Sequence, residues 1–241
     1  MLLPPGFVPL TKVPQPPTGD AWLHEIKHDG FRVIARKDGH QVRLYSRPGN
    51  SLTDRFPLIV EALVWLSSRS CIIDGEAVCC DDNGVPSFDR LRYRRDDARV
   101  FLYAFDLIEL DGDDLRRERL EVRKATLASV LRRVAPGVRL NEHIEADGPT
   151  VFVHVCKMGL EGIVSKHKLS RATRRAARRI GSRARIQPPR QCGGRQRKIG
   201  TSVDGDSDGG KNLIMIYDLE RMALSAYESG APTADPHAAR R

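Results

Sequence analysis

The spacing of hydrophobic residues changes several times along residues 20–170. Short apolar or alternating runs predict β-strands at residues 22–26, 31–35, 41–45, 71–79, 100–108, 138–144 and 159–166. Apolar residues three and four apart predict helices at 54–66, 87–93, 120–134 and 150–158, with Asp54 and Ser87 as the first two N-caps. This mixed order, with many hairpin turns, favours an α+β fold over a parallel doubly wound sheet.

The two ends of the chain differ from this middle part. Residues 1–20 hold six prolines and are predicted to form an extended lead-in. Residues 171–199 hold ten arginines, one lysine and no acidic or aromatic residue, so this stretch can bury little and is predicted to be disordered. A short helix is predicted at 213–227. We therefore expect one domain at 21–170 and a basic tail at 171–241.

The charge of the protein is concentrated in that tail. The net charge is +9, which by itself would suggest a nucleic-acid partner. However, residues 1–167 carry 24 basic and 24 acidic side chains, so the excess lies entirely in residues 168–241. The charge therefore says little about what the folded part binds, although the tail itself could be an arginine-rich arm for nucleic acid.

Two absences in the sequence limit where the protein is expected to act. No run of 18 or more apolar residues occurs, so we expect no membrane span. The five cysteines show no metal-binding spacing, and two of them, Cys79 and Cys80, are adjacent, which is unlike a disulfide framework. We therefore expect a protein of the reducing cytoplasm.

The stretch Glu25 to Arg32 carries the first candidate chemistry. Lys27 follows a predicted strand and lies between the acidic residues Glu25 and Asp29. One interpretation is a nucleophilic lysine, which needs its amine, normally protonated at neutral pH, to be deprotonated by its surroundings. The other is a surface Lys–Asp pair beside a hairpin turn. The stretch alone does not separate the two.

Three further residues also have two interpretations each. Arg47, in the loop Ser46 to Asn50, is either solvated or positioned to hold a phosphate in a bidentate contact. Glu76 lies between apolar runs, which argues against a purely solvated role. Phe105, in a continuously apolar strand, is either a core residue or an aromatic that stacks on a purine.

Five short motifs follow one another in a specific order: K-H-D-G-F-R at 27–32, S-R-P-G at 46–49, I-D-G-E at 73–76, Y-A-F-D-L-I at 103–108 and E-G-I-V-S-K at 161–166. Together they resemble the nucleotidyltransferase domain of ATP-dependent DNA ligases, in particular the ligase module of bacterial non-homologous end-joining proteins. The resemblance implies an ATP-grasp-like fold of antiparallel sheets flanked by helices. It implies ATP, with Mg²⁺ or Mn²⁺, as cofactors.

The resemblance also implies a role for each matching residue. Lys27 would attack the α-phosphate of ATP and become lysyl-AMP, and AMP would then pass to a DNA 5′-phosphate before a 3′-hydroxyl seals the nick. The implied ATP-binding residues are Glu25 at the base, Phe105 stacked on adenine, Lys166 on the α-phosphate, Arg32 and Arg47 on phosphate and ribose or the nicked end, and Glu76 on ribose or metal. The implied metal ligands are Glu76 and Glu161. The implied partners are nicked or broken double-stranded DNA and end-joining proteins, in DNA repair and recombination.

The sequence departs from the family after Lys166, where members continue with a D-W-x-K-x-K motif whose lysines bind the triphosphate. Residues 180–187 can be written in codons that, in another reading frame, encode Asp-Trp-Ile-Lys-Ser-Lys-Asn-Pro. We therefore interpret the arginine-rich segment as this motif translated out of frame. The family's oligonucleotide-binding barrel is also not expected.

Two alternatives to a working DNA ligase remain at this point. One is a non-catalytic remnant that binds nucleotide or nicked DNA without sealing it. The other is an RNA ligase or a capping-type nucleotidyltransferase, which share the lysine motif.

Overall fold

The computed structural model describes residues 11–12, 15–82, 84, 86–172 and 214–218, with the backbone alone described at 11–12 and 214–218. Four α-helices lie in these ranges: α1 Pro57–Val64, α2 Phe88–Arg92, α3 Leu120–Leu131 and α4 Gly148–Lys157. Short 3-10 helices occur at Thr53–Arg55, Asp97–Arg99 and Leu115–Arg117. The strands are β1 Thr11–Lys12, β2 Trp22–Ile26, β3 Phe31–Asp38, β4 Gln41–Ser46, β5 Ser70–Val78, β6 Phe101–Leu110, β7 Asp113–Asp114, β8 Val138–Leu140, β9 His143–Ile144, β10 Gly162–His167 and β11 Ile214–Asp218.

These strands form two sheets within the part of the chain that the structure describes. One has the order β4-β3-β5-β6-β7, all antiparallel, with β8 added parallel to β6. The other has the order β1-β11-β10-β2-β9 and is antiparallel except where β1 meets β11. The predicted α+β fold with antiparallel sheets and flanking helices is therefore confirmed.

The main hydrophobic core lies on the six-stranded sheet, against α1 and α3. Its fully buried side chains come from every layer: Val33, Leu44, Phe56, Ile59, Leu63, Ile73, Leu102, Leu107 and Leu127. A smaller core joins α4 to the five-stranded sheet through Val151, Phe152, Val155 and Ile163. Each sheet therefore has a hydrophobic core of its own.

The first helix begins later than predicted, and Asp54 is not its cap. Asp54 lies in the 3-10 turn Thr53–Arg55, while α1 starts at Pro57 with Phe56 as N-cap and no side-chain capping bond. The reason is Pro57, because a residue that precedes proline is disfavoured in the helical region, and Phe56 adopts φ −120° and ψ 69°. Ser87 is the N-cap residue of α2, but its side chain makes no capping bond.

The predicted strand at 138–144 is interrupted between β8 and β9. Asn141 lies at the break, where its backbone N–H donates to the carbonyl of Ala104 at 2.7 Å. The prediction of a helix at 213–227 is wrong over residues 214–218, which form β11 against β10. A run of Ile214, Met215, Ile216 and Tyr217 suits a strand because β-branched and aromatic residues favour sheets. The predicted disorder of the rest of the tail, like most of the lead-in at 1–20, lies outside the described residues.

The stretch 27–30 is the connection between the two sheets, since β2 belongs to one and β3 to the other. Its first residue is held by a hydrogen bond from the Lys27 amide to the carbonyl of Gly162 at 2.9 Å. Its last residue, Gly30, packs so tightly on β5 that a Cβ there would lie 2.2 Å from the carbonyl oxygen of Ala77. Glycine is therefore required at this point by close packing rather than by a turn.

Candidate active site

A cavity of about 250 Å³ opens where the two sheets face each other beside the 27–30 connection. The predicted site residues in its lining are Glu25, Lys27, Arg32, Glu76, Phe105, Glu161 and Lys166. Seven of the eight residues, spread over some 140 positions of sequence, are thus brought to one space. Arg47 is exposed and lies outside the lining, directly after Ser46, which pairs with Val33 next to Arg32.

Lys27 lies at one end of this cavity and forms an ion pair with Glu161. The pairing of β2 with β10 brings them together, because Lys27 follows β2, Glu161 precedes β10, and Ile26 is opposite Ile163. The Lys27 side chain is 20% exposed, so its amine is accessible from the cavity. The second carboxylate oxygen of Glu161, Oε2, is buried and has no hydrogen-bond partner among the described residues.

Glu25 lies at the other end and is bound by two lysines. Lys166 Nζ donates to Glu25 Oε2 and Lys124 Nζ donates to Oε1, each at 2.6 Å. The side chains of Glu25 and Lys124 are 2% exposed and that of Lys166 is 7% exposed. Two ammonium groups and one carboxylate therefore give this buried cluster, which we call the Glu25 cluster, a net positive charge.

Burial and the neighbouring charges shift the pKa of two members of this cluster, Glu25 and Lys166. Burial alone would raise the pKa of Glu25, but Lys124 and Lys166 outweigh it and bring the pKa below its ordinary value. Burial lowers the pKa of Lys166, which Glu25 counteracts and the nearby Lys124 reinforces. The cluster thus holds one ammonium more than its carboxylate neutralises, which favours an anionic ligand in the cavity.

Arg32 and Glu76 are neighbours across β3 and β5, on which they form a register pair. Arg32 makes a bidentate contact with the buried Asp74, with Nε to Oδ1 at 3.0 Å and Nη2 to Oδ2 at 2.7 Å. Burial raises the pKa of Glu76 to about 8, against the lowering effect of Arg32 and with a further rise from the charge of Asp74. Glu76 is therefore mostly protonated at neutral pH in the absence of a ligand.

Phe105 lies in the cavity wall rather than in the hydrophobic core. It is half-buried, and two cations face its ring: Lys166 Nζ is 4.4 Å and Arg32 Cζ is 5.3 Å from the centroid. An aromatic ring with cations along one side offers a flat surface beside an anion-attracting region. This arrangement suits a ligand with both an aromatic ring and phosphates.

Sequence reasoning missed two buried residues beside the cluster. Lys124 falls within the predicted helix at 120–134 and shares the buried face of α3 with Leu120 and Leu127, so a lysine on an apolar helical face is the signal in the sequence. Asn141 had no such signal, because its role depends on the break between β8 and β9. Its Nδ2 lies 3.4 Å from both Glu25 Oε2 and the carbonyl of Ile26.

Two more contacts near the cavity were also not predicted. Arg123 forms a bidentate ion pair with Asp106, at 2.8 and 3.0 Å, and also donates to the carbonyl of Ser170 at 3.2 Å. This contact fixes the segment that follows β10 against α3. The His28 ring stacks on Tyr103 with centroids 3.8 Å apart, and its Nε2 lies 3.2 Å from Asn141 Oδ1, which restrains the residue next to Lys27.

A divalent cation could be held here only with help from a ligand. Among the described residues no group of three or more His, Cys, Asp or Glu side chains is arranged for a metal ion. Glu161 nevertheless offers the unpartnered Oε2. Mg²⁺ is commonly bound by one or two carboxylates together with substrate phosphates and water, and Glu161 and Glu76 fit that kind of site.

Comparison with known proteins places the chain in a family. The family profile described as "ATP dependent DNA ligase domain" matches residues 10–180. The multifunctional non-homologous end joining protein LigD of Pseudomonas aeruginosa is 37% identical over 159 residues, which is 64% of this chain and 19% of that protein. The LigD of Mycolicibacterium smegmatis is 35% identical over 145 residues, or 60% of this chain and 19% of that protein. The chain thus spans about a fifth of the length of these curated relatives.

A solved structure agrees with the sequence matches. The crystal structure of the ligase domain from M. tuberculosis LigD superimposes with a TM-score of 0.61 at 33% identity, covering 68% of this chain and 55% of that one. A mycobacterial DNA ligase D complexed with ATP and MES has the same TM-score and identity and is covered over 54% of its length. The chain belongs to the ATP-dependent DNA ligase domain family. Its fold matches that of the LigD ligase domain, and the two curated relatives named above are LigD proteins.

No helix among the described residues is long and apolar enough to cross a membrane. The expected cytoplasmic location stays a prediction.

The first prediction concerns the protonation of Glu76. Since folding raises its pKa from 4.5 to about 8, the folded state holds this proton more tightly, and the free energy of unfolding falls as pH rises between these values. Glu76→Gln has no such carboxyl group. As pH rises through that range, its free energy of unfolding should therefore increase relative to that of the wild type by at most about 1.4 kcal/mol per pH unit. Urea unfolding at about pH 5 and about pH 9 measures the difference.

The matched control is Glu61→Gln on the exposed side of α1. It should leave the pH dependence of unfolding unchanged. If Glu76→Gln unfolds with the wild-type pH dependence, Glu76 is ionised in the folded protein.

Proposed function

We propose that this chain is the adenylation domain of an ATP-dependent DNA ligase, in an impaired form. The observation that carries the proposal is that Lys27 lines a cavity together with the aromatic ring of Phe105 and the two cations that face this ring, Lys166 and Arg32. A nucleotide triphosphate has the complementary parts. The family to which the chain belongs makes ATP the first choice.

The arrangement of the cavity suggests how ATP lies in it. The adenine ring stacks on Phe105 and its amino group reaches Glu25. Lys166, whose ammonium lies near both, turns to the α-phosphate. Arg32 and Glu76 contact the ribose, with Arg47 closer to the nicked end because it lies outside the cavity lining.

In the first step the Lys27 Nζ attacks the α-phosphorus. The attacking amine is neutral: a P–N bond forms, the P–O bond to pyrophosphate breaks and pyrophosphate leaves, and the proton lost by the nitrogen passes to water. The ion pair with Glu161 stabilises the protonated amine and so opposes this step. Glu161 and Glu76 would hold Mg²⁺ or Mn²⁺ with help from the phosphates, and the ion would supply charge neutralisation.

The later steps use DNA as the substrate. AMP passes from Lys27 to the 5′-phosphate of a nick or break, and a 3′-hydroxyl then displaces AMP. The covalent intermediate divides one difficult transfer into easier ones. The end-joining names of the relatives extend the proposal to end-joining proteins as partners, in DNA repair and recombination, in the cytoplasm.

The proposed impairment rests on what lies beside β10, the strand that carries Lys166. On the side of β10 opposite β2, the paired strand is β11, Ile214–Asp218, whose sequence contains no lysine or arginine. The D-W-x-K-x-K motif would supply two strand-borne lysines for the triphosphate, and residues 180–187 are compatible with that motif in another frame. A chain without these lysines has fewer fixed cations to orient the pyrophosphate leaving group.

The same observation favours one rival function. A chain that keeps the base and α-phosphate contacts but lacks cations for the leaving group could bind nucleotide or nicked DNA without reacting. Covalent labelling separates the two, because only an enzyme retains AMP after denaturation.

The second prediction is that Lys27 becomes adenylated. Incubation with Mg²⁺ and ATP labelled on the α-phosphate should give a labelled band on a denaturing gel, whereas ATP labelled on the γ-phosphate should not. Mass spectrometry should place AMP on Lys27. Lys27→Ala should abolish the band and Lys157→Ala, an exposed lysine on α4, should keep it. A band that persists in Lys27→Ala rejects the assignment.

The third prediction separates binding from stability at Phe105. Phe105→Ala should weaken ATP binding by roughly 1–3 kcal/mol, as loss of a stacked aromatic does. Because the ring is half-buried, its loss should cost less stability than Phe56→Ala in the core, for which about 3–5 kcal/mol is expected. Calorimetric titration and thermal unfolding of both variants test this. A large loss of stability with unchanged affinity would return Phe105 to a packing role.

The fourth prediction concerns the tail. Restoring the reading frame after Ser170 should increase the rate of lysyl-AMP formation, because two lysines would regain fixed positions near the triphosphate. Both versions are made and compared for self-adenylation and nick sealing. Equal adenylation rates would show that the tail does not impair the site.

A further inference from the structure

Lys124 is a buried cation for which the proposed chemistry gives no role. It lies on α3, which packs on β6 and β8 of the six-stranded sheet, while its partner Glu25 lies on β2 of the other sheet. Its ammonium donates to Glu25 Oε1 at 2.6 Å and to the carbonyl of Asn141 at 3.0 Å. Burial of an ammonium costs free energy unless it is paired, so both acceptors are needed to keep it there.

The two lysines of the Glu25 cluster are not equivalent. Lys166 lines the cavity and its ammonium lies near the Phe105 ring, whereas Lys124 is absent from the cavity lining. Lys166 is therefore the one that can turn toward a ligand. Lys124, held by Glu25 Oε1 and the Asn141 carbonyl and itself outside the lining, stays in place.

Departure of Lys166 would leave Glu25 as a buried carboxylate whose Oε2 has lost its charged partner and keeps only the Asn141 amide. That state is tolerable only if another cation remains, and Lys124 on Oε1 is that cation. The oxygen made available is Oε2, to which the Asn141 amide also points from 3.4 Å. A hydrogen-bond donor of the ligand can then take the place of Lys166.

We infer that Lys124 is a positioning residue that holds Glu25 as a charged acceptor and thereby sets the preference for a base carrying an exocyclic amino group. This rests on the proposed function, in which Glu25 meets the base. Lys124 thus releases Lys166 for the phosphates and fixes the specificity for adenine at the same time. Neither effect requires Lys124 to touch the nucleotide.

The test uses ATP and purine riboside triphosphate, which lacks the amino group of adenine. The wild type should bind ATP about tenfold or more tightly, as expected when a buried acceptor loses its donor. In Lys124→Met, Lys166 must stay with Glu25, so affinity for both nucleotides should fall and their ratio should approach one. Lys37→Met removes another buried lysine, away from the cavity, and should keep the wild-type ratio.

A double variant keeps the test valid if Lys124→Met folds poorly. In Glu25→Gln the carboxylate charge is absent, so adding Lys124→Met should change the ratio no further. The inference is overturned if Lys124→Met keeps the wild-type ratio of the two nucleotide affinities. It is also overturned if Lys124→Met lowers that ratio by the same factor in the wild type and in Glu25→Gln.

The outcomes for the wild type separate this inference from the proposed function. Equal binding of the two nucleotides by the wild type overturns the inference while leaving an ATP site. Binding of neither nucleotide contradicts the proposed function and the inference together.

Discussion

The buried carboxylate of Glu25 is the contact on which the arrangement of the cavity depends. It lies on β2, and its partners come from α3, from β10 and from the Asn141 break between the sheets. Because a buried carboxylate must be paired, its contacts fix the positions of these elements relative to β2. The same carboxylate binds two lysines, and one of them, Lys166, lies at the wall of the cavity. Architecture and affinity for an anion therefore have a common origin.

The connection between the sheets puts the reactive amine beside this charge. Lys27 is two residues after Glu25, and the Gly30 contact with β5 leaves the connection little freedom. Glu161 reaches Lys27 because β2 and β10 are antiparallel neighbours. The pairing of those two strands thus aligns the nucleophile, its acidic partner and both ends of the Glu25–Lys166 contact.

The sequence motifs predicted most of the residues that line the cavity. Each motif lies within a strand or at its end, where the register of strand pairing determines which residues are neighbours. Arg32 and Glu76 are directly opposite each other on β3 and β5, and Lys166 lies two residues along β10 from Val164, the residue opposite Glu25. Lys124 and Asn141 could not be predicted in the same way. Their contacts depend on how α3 and the β8–β9 break pack against the other sheet, which no local pattern encodes. The cap at Asp54 failed for a local reason that was visible in the sequence, namely Pro57.

The central claim is that Lys166 exchanges Glu25 for a phosphate while Lys124 stays. A crystal structure of the Lys27→Ala protein with ATP tests it most directly, since the nucleotide cannot react there. We predict adenine on Phe105, Lys166 Nζ within hydrogen-bond distance of the α-phosphate, and Lys124 still on Glu25 Oε1. ATP bound with the contact between Lys166 and Glu25 intact, or bound away from this cavity, would contradict the account.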